Sequence, residues 1–335
     1  MKVSEKVGIV YQGILPAYIL DLEVPEETLA TCSSCHNCVN TNNPKYHVKC
    51  CNYHPVQPNF VIGALLSSND EPLASAQKII RKKIIQKEGV SPIGIIPPSD
   101  FYLNKNNVVC PYLKDQLCSI WQYRTELCST FFCSSIGGRS GQQFWNVLLD
   151  YLKLVDKQLS LYALQEIGFE ANLIHYQYFS NSFASKKKEL VKGSAKIFEK
   201  HWGEWIGQEQ VLFIKCYEEI LKTDHKIIER LIGWEGSWFS DLLTNKSKVF
   251  KESVLHDKLK LMPIDFVKDS SNDKCMLITS ARENTTCNEI QMMFLKMFDG
   301  EASTKDIIRK TKELNQDITT IVYDLIQEGL LVPST

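Results

Sequence analysis

The chain has 335 residues and a formal net charge of −1, and 44% of its residues are hydrophobic and 23% charged. These values are typical of a globular protein of two or three domains, and they exclude a whole-protein electrostatic attraction to nucleic acid or anionic lipid. No run of about 18 apolar residues occurs, so we expect no membrane span. Gln12, Gly13 and Pro16 interrupt the early apolar stretch, which runs into an acidic one. We therefore expect no signal peptide and predict a cytoplasmic location.

The first 140 residues are predicted to form a cysteine-cluster domain that is loop-rich and organised by a metal. Residues 32–58 are rich in Cys, Asn and His, and turn-forming residues dominate there. Residues 59–67 indicate a short apolar element, and residues 72–88 indicate an amphipathic helix. The apolar stripe of that helix consists of Leu73, Ala76, Ile80 and Ile84. A proline-rich connector then leads to residues 110–133.

Residues 141–255 are predicted to form a helical scaffold, and residues 256–335 a small α+β, winged-helix-like domain. The sequence SSIGGRSG predicts a flexible turn before a long helix with an apolar stripe. That stripe consists of Phe144, Leu148, Tyr151, Leu152 and Val155. In the last domain, KLKLMPIDFV and KCMLITS predict two strands joined by a turn, and three short helices follow. The predicted fold class is therefore mainly α.

The distribution of cysteines is the most informative feature of the sequence. The chain has twelve, and only Cys216, Cys275 and Cys287 lie outside a region of about 100 residues. The clustered ones are Cys32, Cys35, Cys38, Cys50, Cys51, Cys110, Cys118, Cys128 and Cys133. Cysteines in a reducing compartment serve more often as metal ligands or reactive groups than as disulfides. Buried structural cysteines would explain one or two positions, but not a cluster in turn-rich sequence.

The spacing of these cysteines fits either an iron–sulfur cluster or zinc. The C-x2-C-x2-C run that begins at Cys32 can direct three thiolates to one centre, with a fourth ligand from later in the chain. The adjacent Cys50 and Cys51 point in divergent directions, so both are not expected to bind one ion. Nine thiols exceed the four that one centre needs, which leaves two centres or one centre with spare thiols. Histidines inside the first cluster are alternative ligands: His36, His47 and His54.

Residues 118–133 resemble the signature C-x-I-[YW]-x-x-R-P-x-x-C-x-x-F-x-C of the YkgJ-type cysteine-cluster family. The segment C-P-Y-L that begins at Cys110, the earlier C-x2-C-x2-C with Cys50–Cys51, and GGRSGQQFW resemble further elements of that family. The resemblance covers roughly residues 30–165. It implies zinc or iron chelation, with a [4Fe–4S] cluster preferred, and a relation to flagellin lysine N-methylases.

The chain departs from the family pattern at three places, which puts the ligand set in doubt. Thr125 replaces a usual proline, Ser129 replaces a common arginine, and an eleven-residue insertion precedes Cys50–Cys51. Arg124 is expected either to offset thiolate charge at the metal or to form an ordinary surface ion pair. Arg139 is a second candidate cofactor-binding residue, because its guanidinium can meet an anion. The aromatic side chains expected to shield the centre are Trp121, Phe131 and Phe132.

The C-terminal region resembles PqqD-type domains in its pattern of a strand pair and three helices. The resemblance implies binding of a protein or peptide substrate by strand addition beside a helix. A winged-helix DNA-binding domain is the competing interpretation. The third predicted helix, ITTIVYDLIQEG, has no Lys or Arg, which argues against a nucleic-acid partner.

Three functions remain open at this point. The first is a metal-dependent enzyme that modifies a protein or peptide, such as a lysine N-methylase, with S-adenosylmethionine as candidate methyl donor. The second is a non-catalytic metal-binding or redox protein. The third is a metal-dependent regulator with a DNA-binding winged helix. The sequence has no G-x-G-x-x-G, no G-x4-G-K-[ST] and no H-E-x-x-H motif, so any catalysis is expected to depend on the metal centre.

Overall fold

A computed structural model of the chain describes residues 1–27, 55–86, 90–95, 110–115, 117–132, 135–169, 195–253, 256, 258–268, 275–278, 285–327 and 330–334. Within these residues the protein is mainly helical, with short antiparallel strands, as the sequence predicts. Much of the predicted metal-organised loop region lies outside the described residues. Its organisation by a metal therefore stays a prediction.

The elements fall into helical and strand sets in chain order. The helices are α1 (Ile9–Ile14), α2 (Ala17–Leu20), α3 (Asn59–Leu66), α4 (Asp70–Gln86), α5 (Glu126–Thr130), α6 (Gly138–Glu166), α7 (Ala195–Trp202), α8 (Glu209–Leu221), α9 (His225–Glu252), α10 (Glu289–Leu295), α11 (Thr304–Glu313) and α12 (Thr319–Gln327). The strands are β1 (Gln57–Pro58), β2 (Val90–Ser91), β3 (Gly94–Ile95), β4 (Leu113–Lys114), β5 (Leu117–Cys118), β6 (Lys258–Leu261), β7 (Asp265–Lys268), β8 (Cys275–Ile278), β9 (Thr285–Cys287), β10 (Asp299–Ser303) and β11 (Leu331–Pro333). Short 3-10 helices cover Val3–Glu5, Trp121–Tyr123 and Gly203–Trp205.

The two elements predicted between residues 59 and 88 are both helices. The apolar segment forms α3, whose residues are all buried. The amphipathic segment forms α4, which begins two residues earlier than predicted. Its stripe residues Ala76 and Ile80 are buried and Leu73 is half-buried, while the side chain of Ile84 lies outside the described part.

Helix α6 is the central element of the larger core. All five residues of its predicted apolar stripe are fully buried: Phe144, Leu148, Tyr151, Leu152 and Val155. In the glycine-rich segment before it, residues 136–137 form the predicted turn and Gly138 already belongs to the helix, while the flexibility of the segment stays a prediction. A Cβ on Gly138 would overlap the ring of Tyr323, and a Cβ on Gly141 would overlap Ser135. These glycines begin a helix and permit close packing, which is why larger residues are excluded there.

The buried apolar residues form two clusters. The larger cluster extends from Val3 to Phe250 and includes residues on both sides of the predicted boundary at 140. The smaller cluster lies between Leu259 and Leu331. The division near residue 256 separates the two cores along the sequence, while the predicted domain boundaries themselves stay predictions.

The C-terminal region contains the three predicted helices, but the segment predicted as its first strand, residues 258–267, forms two strands, β6 and β7, in different sheets. Strands β7 and β8 pair antiparallel, and β9 adds to the other side of β8. A second sheet has the order β10-β6-β11, with both neighbours antiparallel to β6. Helices α10, α11 and α12 pack with these strands around the smaller core.

Helix α12 also packs against α6. Tyr323 in α12 is 2% exposed and lies against Gly138 at the start of α6. One face of α12 is therefore covered by the helical body. None of the helices in the described part of the chain has both the length and the apolar character that crossing a membrane requires.

Candidate metal centre

A small hairpin carries two of the predicted ligands. Strands β4 and β5 pair so that Leu113 lies opposite Cys118, and the turn between them includes Asp115 in the left-handed region with φ 48°. The carbonyl of Cys110 accepts a hydrogen bond from the Leu113 N–H at 3.0 Å. Cys110 and Cys118 therefore both lie at the open end of the hairpin. Both are half-buried, and neither is in a disulfide.

Tyr112 lies between these two cysteines in sequence and is buried. Burial raises the pKa of its phenol, and the nearby Cys110 and Cys118 thiols raise it further, against the effect of its hydrogen bond with Gln57. The hydroxyl donates that hydrogen bond to Oε1 of Gln57 at 2.5 Å. The Nε2 of Gln57 is buried without a hydrogen-bond partner in the described part of the chain. A buried N–H group of this kind can serve as a donor to a group bound beside Tyr112.

Arg124 is buried, with 7% of its surface exposed. Its guanidinium donates to three backbone carbonyls: Nε to Lys6 at 2.7 Å, Nη1 to Trp121 at 2.9 Å and Nη2 to Glu5 at 3.2 Å. It also stacks on the Trp121 ring, with its Cζ 4.4 Å from the ring centroid. The arginine thus fastens the N-terminal segment to the turn before α5. It is not the surface ion pair that was one of the two predictions.

The electrostatic surroundings of Arg124 include two cysteines, Cys118 and Cys128. No carboxylate among the described residues forms an ion pair with it. Burial lowers its pKa, whereas Cys118 and Cys128 act in the opposite direction. Burial also raises the pKa of Cys118, against the effect of Arg124. A buried cation next to two thiols suits a site where those thiols become thiolates.

Glu27 lies five positions before Cys32 and is 2% exposed. Its carboxylate accepts hydrogen bonds from the Ser135 hydroxyl at 2.5 Å, the Ile136 N–H at 2.7 Å and the indole N–H of Trp145 at 2.6 Å. These donors lie directly after Cys133 and in the first turns of α6. The chain that enters the first cysteine segment, residues 32–51, is therefore fixed beside the end of the second cysteine segment, residues 110–133.

The chain that leaves the first cysteine segment is fixed as well. Gln57, six positions after Cys51, lies in β1 and pairs with Ile95 in β3. Its side chain accepts the hydrogen bond from Tyr112, between Cys110 and Cys118. Both flanks of the first cysteine segment are thus bonded to residues that lie beside cysteines of the second.

The structure describes only part of the predicted ligand set. Cys128 lies in α5 and is exposed. The predicted ligands outside the described residues are Cys32, Cys35, Cys38, Cys50, Cys51 and Cys133, and the alternative ligands His36, His47 and His54 lie outside them too. Among the residues that are described, no three or more His, Cys, Asp or Glu side chains form a group able to hold a metal ion. The three described cysteines accordingly form only part of the predicted site.

The other predicted site residues have different surroundings. Arg139 lies in the first turn of α6 with an exposed side chain. Trp121 and Phe131 are exposed, and Trp121 covers the Arg124 guanidinium. Phe132 is half-buried, with its ring centroid 4.7 Å from that of Trp145. Of the predicted shielding aromatics, only Phe132 is packed into the core.

A buried polar network next to α5 was not predicted. The hydroxyl of Tyr11 donates to the Asp156 carboxylate, with both O–O distances 2.9 Å, and the Glu126 carboxyl is close enough to influence Asp156. Burial raises the pKa of all three groups. The Glu126 carboxyl raises the pKa of Asp156 further. Asp156 falls on the same buried stripe of α6 as Val155 and Leu159, and a charged residue in such a stripe is the signal that could have revealed the network.

Comparisons with known proteins add no family to this description. No protein-family model, no curated protein and no solved structure matches the chain.

Proposed function

We propose that this chain is a metal-binding protein in which thiolates of the first and second cysteine segments together hold an iron–sulfur cluster or zinc. The observation that supports the proposal best is the pair of hydrogen-bonded flanks, Glu27 with Ser135 and Gln57 with Tyr112. These two bonds bring both ends of the first segment beside the second, as a metal centre shared by the two segments requires. Nine thiols suffice for two centres of four ligands each, so the proposal includes either one centre or two.

The chain lengths make the shared centre feasible. An extended chain spans at most about 3.6 Å per residue, so Cys32 lies within about 18 Å of Glu27 along the chain. Cys51 lies six positions from Gln57, a comparable reach. Both ends of the first segment can therefore meet cysteines of the second without moving the described elements.

The polar groups around the described cysteines suit a thiolate-bound metal. Arg124 supplies a fixed positive charge beside Cys118 and Cys128 and lacks a carboxylate partner in the described part. Gln57 supplies a buried N–H donor next to Tyr112, the residue whose phenol is influenced by Cys110 and Cys118. The [4Fe–4S] form is our preferred cofactor, and it would supply one-electron chemistry, whereas zinc would supply structural stabilisation or Lewis acidity.

A second proposal concerns the C-terminal region. We infer that it is a PqqD-like, winged-helix-like domain that binds a protein or peptide substrate for the metal centre to modify, methyl transfer to lysine being one candidate reaction. The supporting observation is that β7 and β9 are the outer strands of their described sheet, so each can accept an added strand. S-adenosylmethionine is the candidate donor for that reaction.

The DNA-binding alternative receives less support. Helix α12 carries no Lys or Arg, and its Tyr323 is packed against the start of α6. A recognition helix needs an exposed, donor-rich face to enter the major groove.

The deciding experiment is anaerobic purification followed by an absorption spectrum and analysis for iron, zinc and acid-labile sulfide. A brown protein with a broad band near roughly 400 nm and matched iron and sulfide supports the cluster. A colourless protein with stoichiometric zinc supports a zinc centre. The function would then be sought in the C-terminal domain and its partner. Protein without either metal after purification and after anaerobic reconstitution contradicts the proposal.

A further inference from the structure

Two cysteines outside the clustered set occupy directly opposed register positions in the C-terminal sheet. Strands β8 and β9 pair antiparallel with Cys275 opposite Cys287, Met276 opposite Thr286 and Leu277 opposite Thr285. Three consecutive pairs define this register, and a shift by one residue would move the two cysteines to opposite faces. The cysteine pair is therefore a product of strand pairing and not of sequence proximity.

The register satisfies the geometric requirement for a disulfide. Directly opposed residues on antiparallel strands share one face of the sheet, with Cα atoms about 4.5–5.5 Å apart. Disulfides join Cα atoms about 4.4–6.8 Å apart. Cys287 is 2% exposed, belongs to the smaller core and is not in a disulfide in this structure.

We propose that Cys275 and Cys287 form a reversible cross-strand disulfide by exchange with a low-molecular-weight disulfide such as oxidised glutathione. One protein thiolate attacks the small disulfide, forms a mixed disulfide and releases one small thiol. The second protein thiolate attacks the protein-bound sulfur of that mixed disulfide, which forms the Cys275–Cys287 bond and releases the second small thiol. The protein loses two electrons and two protons, which leave with the two small thiols.

Either thiolate can make the first attack, and the opposed thiolate then completes the exchange, so the product is the same for both orders. In a reducing compartment the pair stays a dithiol, and the bond forms when the ratio of small disulfide to thiol rises.

The bond would fasten the start of a helix to the sheet. Cys287 directly precedes Asn288, whose side chain caps α10 by accepting the Gln291 N–H at 2.8 Å. A bond to β8 removes freedom from the unfolded chain between the two cysteines and so resists local opening of this edge. Oxidation therefore converts the edge strand β9 and the first turn of α10 into a cross-linked unit.

The test uses the full chain, equilibrated anaerobically with oxidised and reduced glutathione at several ratios and then quenched with acid and N-ethylmaleimide. Trypsin cuts after Lys274, Arg282 and Lys296, so the two cysteines fall in separate peptides, 275–282 and 283–296. We expect these peptides to become linked, with the loss of two hydrogen atoms, and to separate on treatment with dithiothreitol. The linked form should exceed every other cross-link that involves either cysteine.

Two outcomes would overturn the proposal: alkylation of both cysteines at every ratio, or linkage of either one mainly to the cysteines between 32 and 133. Cys216 serves as the internal control, because it is buried and burial raises the pKa of its thiol to about 12, so it should gain no glutathione. Cys275→Ser should leave Cys287 without its cross-link. The peptide map of the protein without substitutions tests the proposed disulfide even if the variant does not fold.

Discussion

The carboxylate of Glu27 accepts a hydrogen bond from the Ser135 hydroxyl at 2.5 Å, although 108 positions separate them in the sequence. This bond places the entry to the first cysteine segment beside the exit of the second. The same carboxylate accepts from the Trp145 indole, so it also fixes the first turns of α6. A single buried side chain thus links both cysteine segments to the central helix.

Glu27→Gln should destabilise the protein by about 2–3 kcal/mol, because an amide replaces one charged acceptor oxygen with a donor that faces other donors. Chemical denaturation measures the loss. Glu26→Gln is the matched control, because the side chain of Glu26 is exposed. This substitution should change the free energy of unfolding by less than about 0.5 kcal/mol. The metal content should fall in the first variant alone. Equal stability of the two variants would contradict the role assigned to Glu27.

Cys118→Ser and Cys128→Ser should each lower the metal content and make residues 30–135 more sensitive to protease. The reason is that a hydroxyl is a poor substitute for a thiolate ligand, and a loop-rich segment depends on its metal for order. Elemental analysis and limited proteolysis measure the two effects. Cys216→Ala, at a buried cysteine outside both segments of the sequence, should keep the metal. Unchanged stoichiometry in both serine variants would remove these residues from the ligand set.

Arg124→Lys should cost about 2–3 kcal/mol of stability, because an ammonium cannot reproduce the planar fork that reaches Lys6, Trp121 and Glu5. Denaturant titration measures it. Arg309→Lys, at an exposed ion pair in the C-terminal domain, is the control and should be nearly neutral. A loss no larger than that of the control would mean that the three carbonyl contacts contribute little.

The contribution of Asp156 to stability should fall as pH rises above about 3.8, the ordinary pKa of an aspartate, because burial raises the pKa of Asp156 in the folded state. In that window the unfolded chain has released the proton and the folded chain still holds it, so a higher pH favours unfolding. Asp156→Asn removes this contribution and should flatten the dependence of unfolding free energy on pH. Asp150→Asn, exposed on the same helix, should leave the slope intact. A slope that is identical in Asp156→Asn and the parent protein would contradict the raised pKa.

Gly138→Ala should destabilise the protein by about 1–3 kcal/mol, because Gly138 has φ 54° and a Cβ there would overlap the Tyr323 ring. The substitution should also loosen the contact between α12 and α6, which limited proteolysis between residues 253 and 258 would reveal. Gly13→Ala is the matched control: its Cβ would meet nothing within 4 Å, and alanine should be neutral or stabilise by about 0.5–1 kcal/mol. Similar effects of both substitutions would argue against the packing role of Gly138.

Local patterns predicted the elements well and the site only in part. The apolar stripes of α4 and α6, the β7–β8 pair and the three C-terminal helices follow from periodicities of about 3.6 and 2 residues, which neighbouring residues determine. The turn expected at SSIGGRSG is present at residues 136–137, but the close packing of Gly138 and Gly141 was not predicted, because glycines permit both flexible turns and close packing. Sequence alone cannot tell these uses apart.

The sequence by itself determined that the protein is mainly helical and that nine cysteines lie within about 100 residues, because composition, spacing and periodicity are local properties of the chain. Only the tertiary structure decided which groups surround those cysteines. Arg124 finds its acceptors 118 and 119 positions away, and Tyr112 meets Gln57 55 positions away. Hydrogen bonds of this kind depend on how helices pack, and buried donors and acceptors must find partners wherever that packing places them.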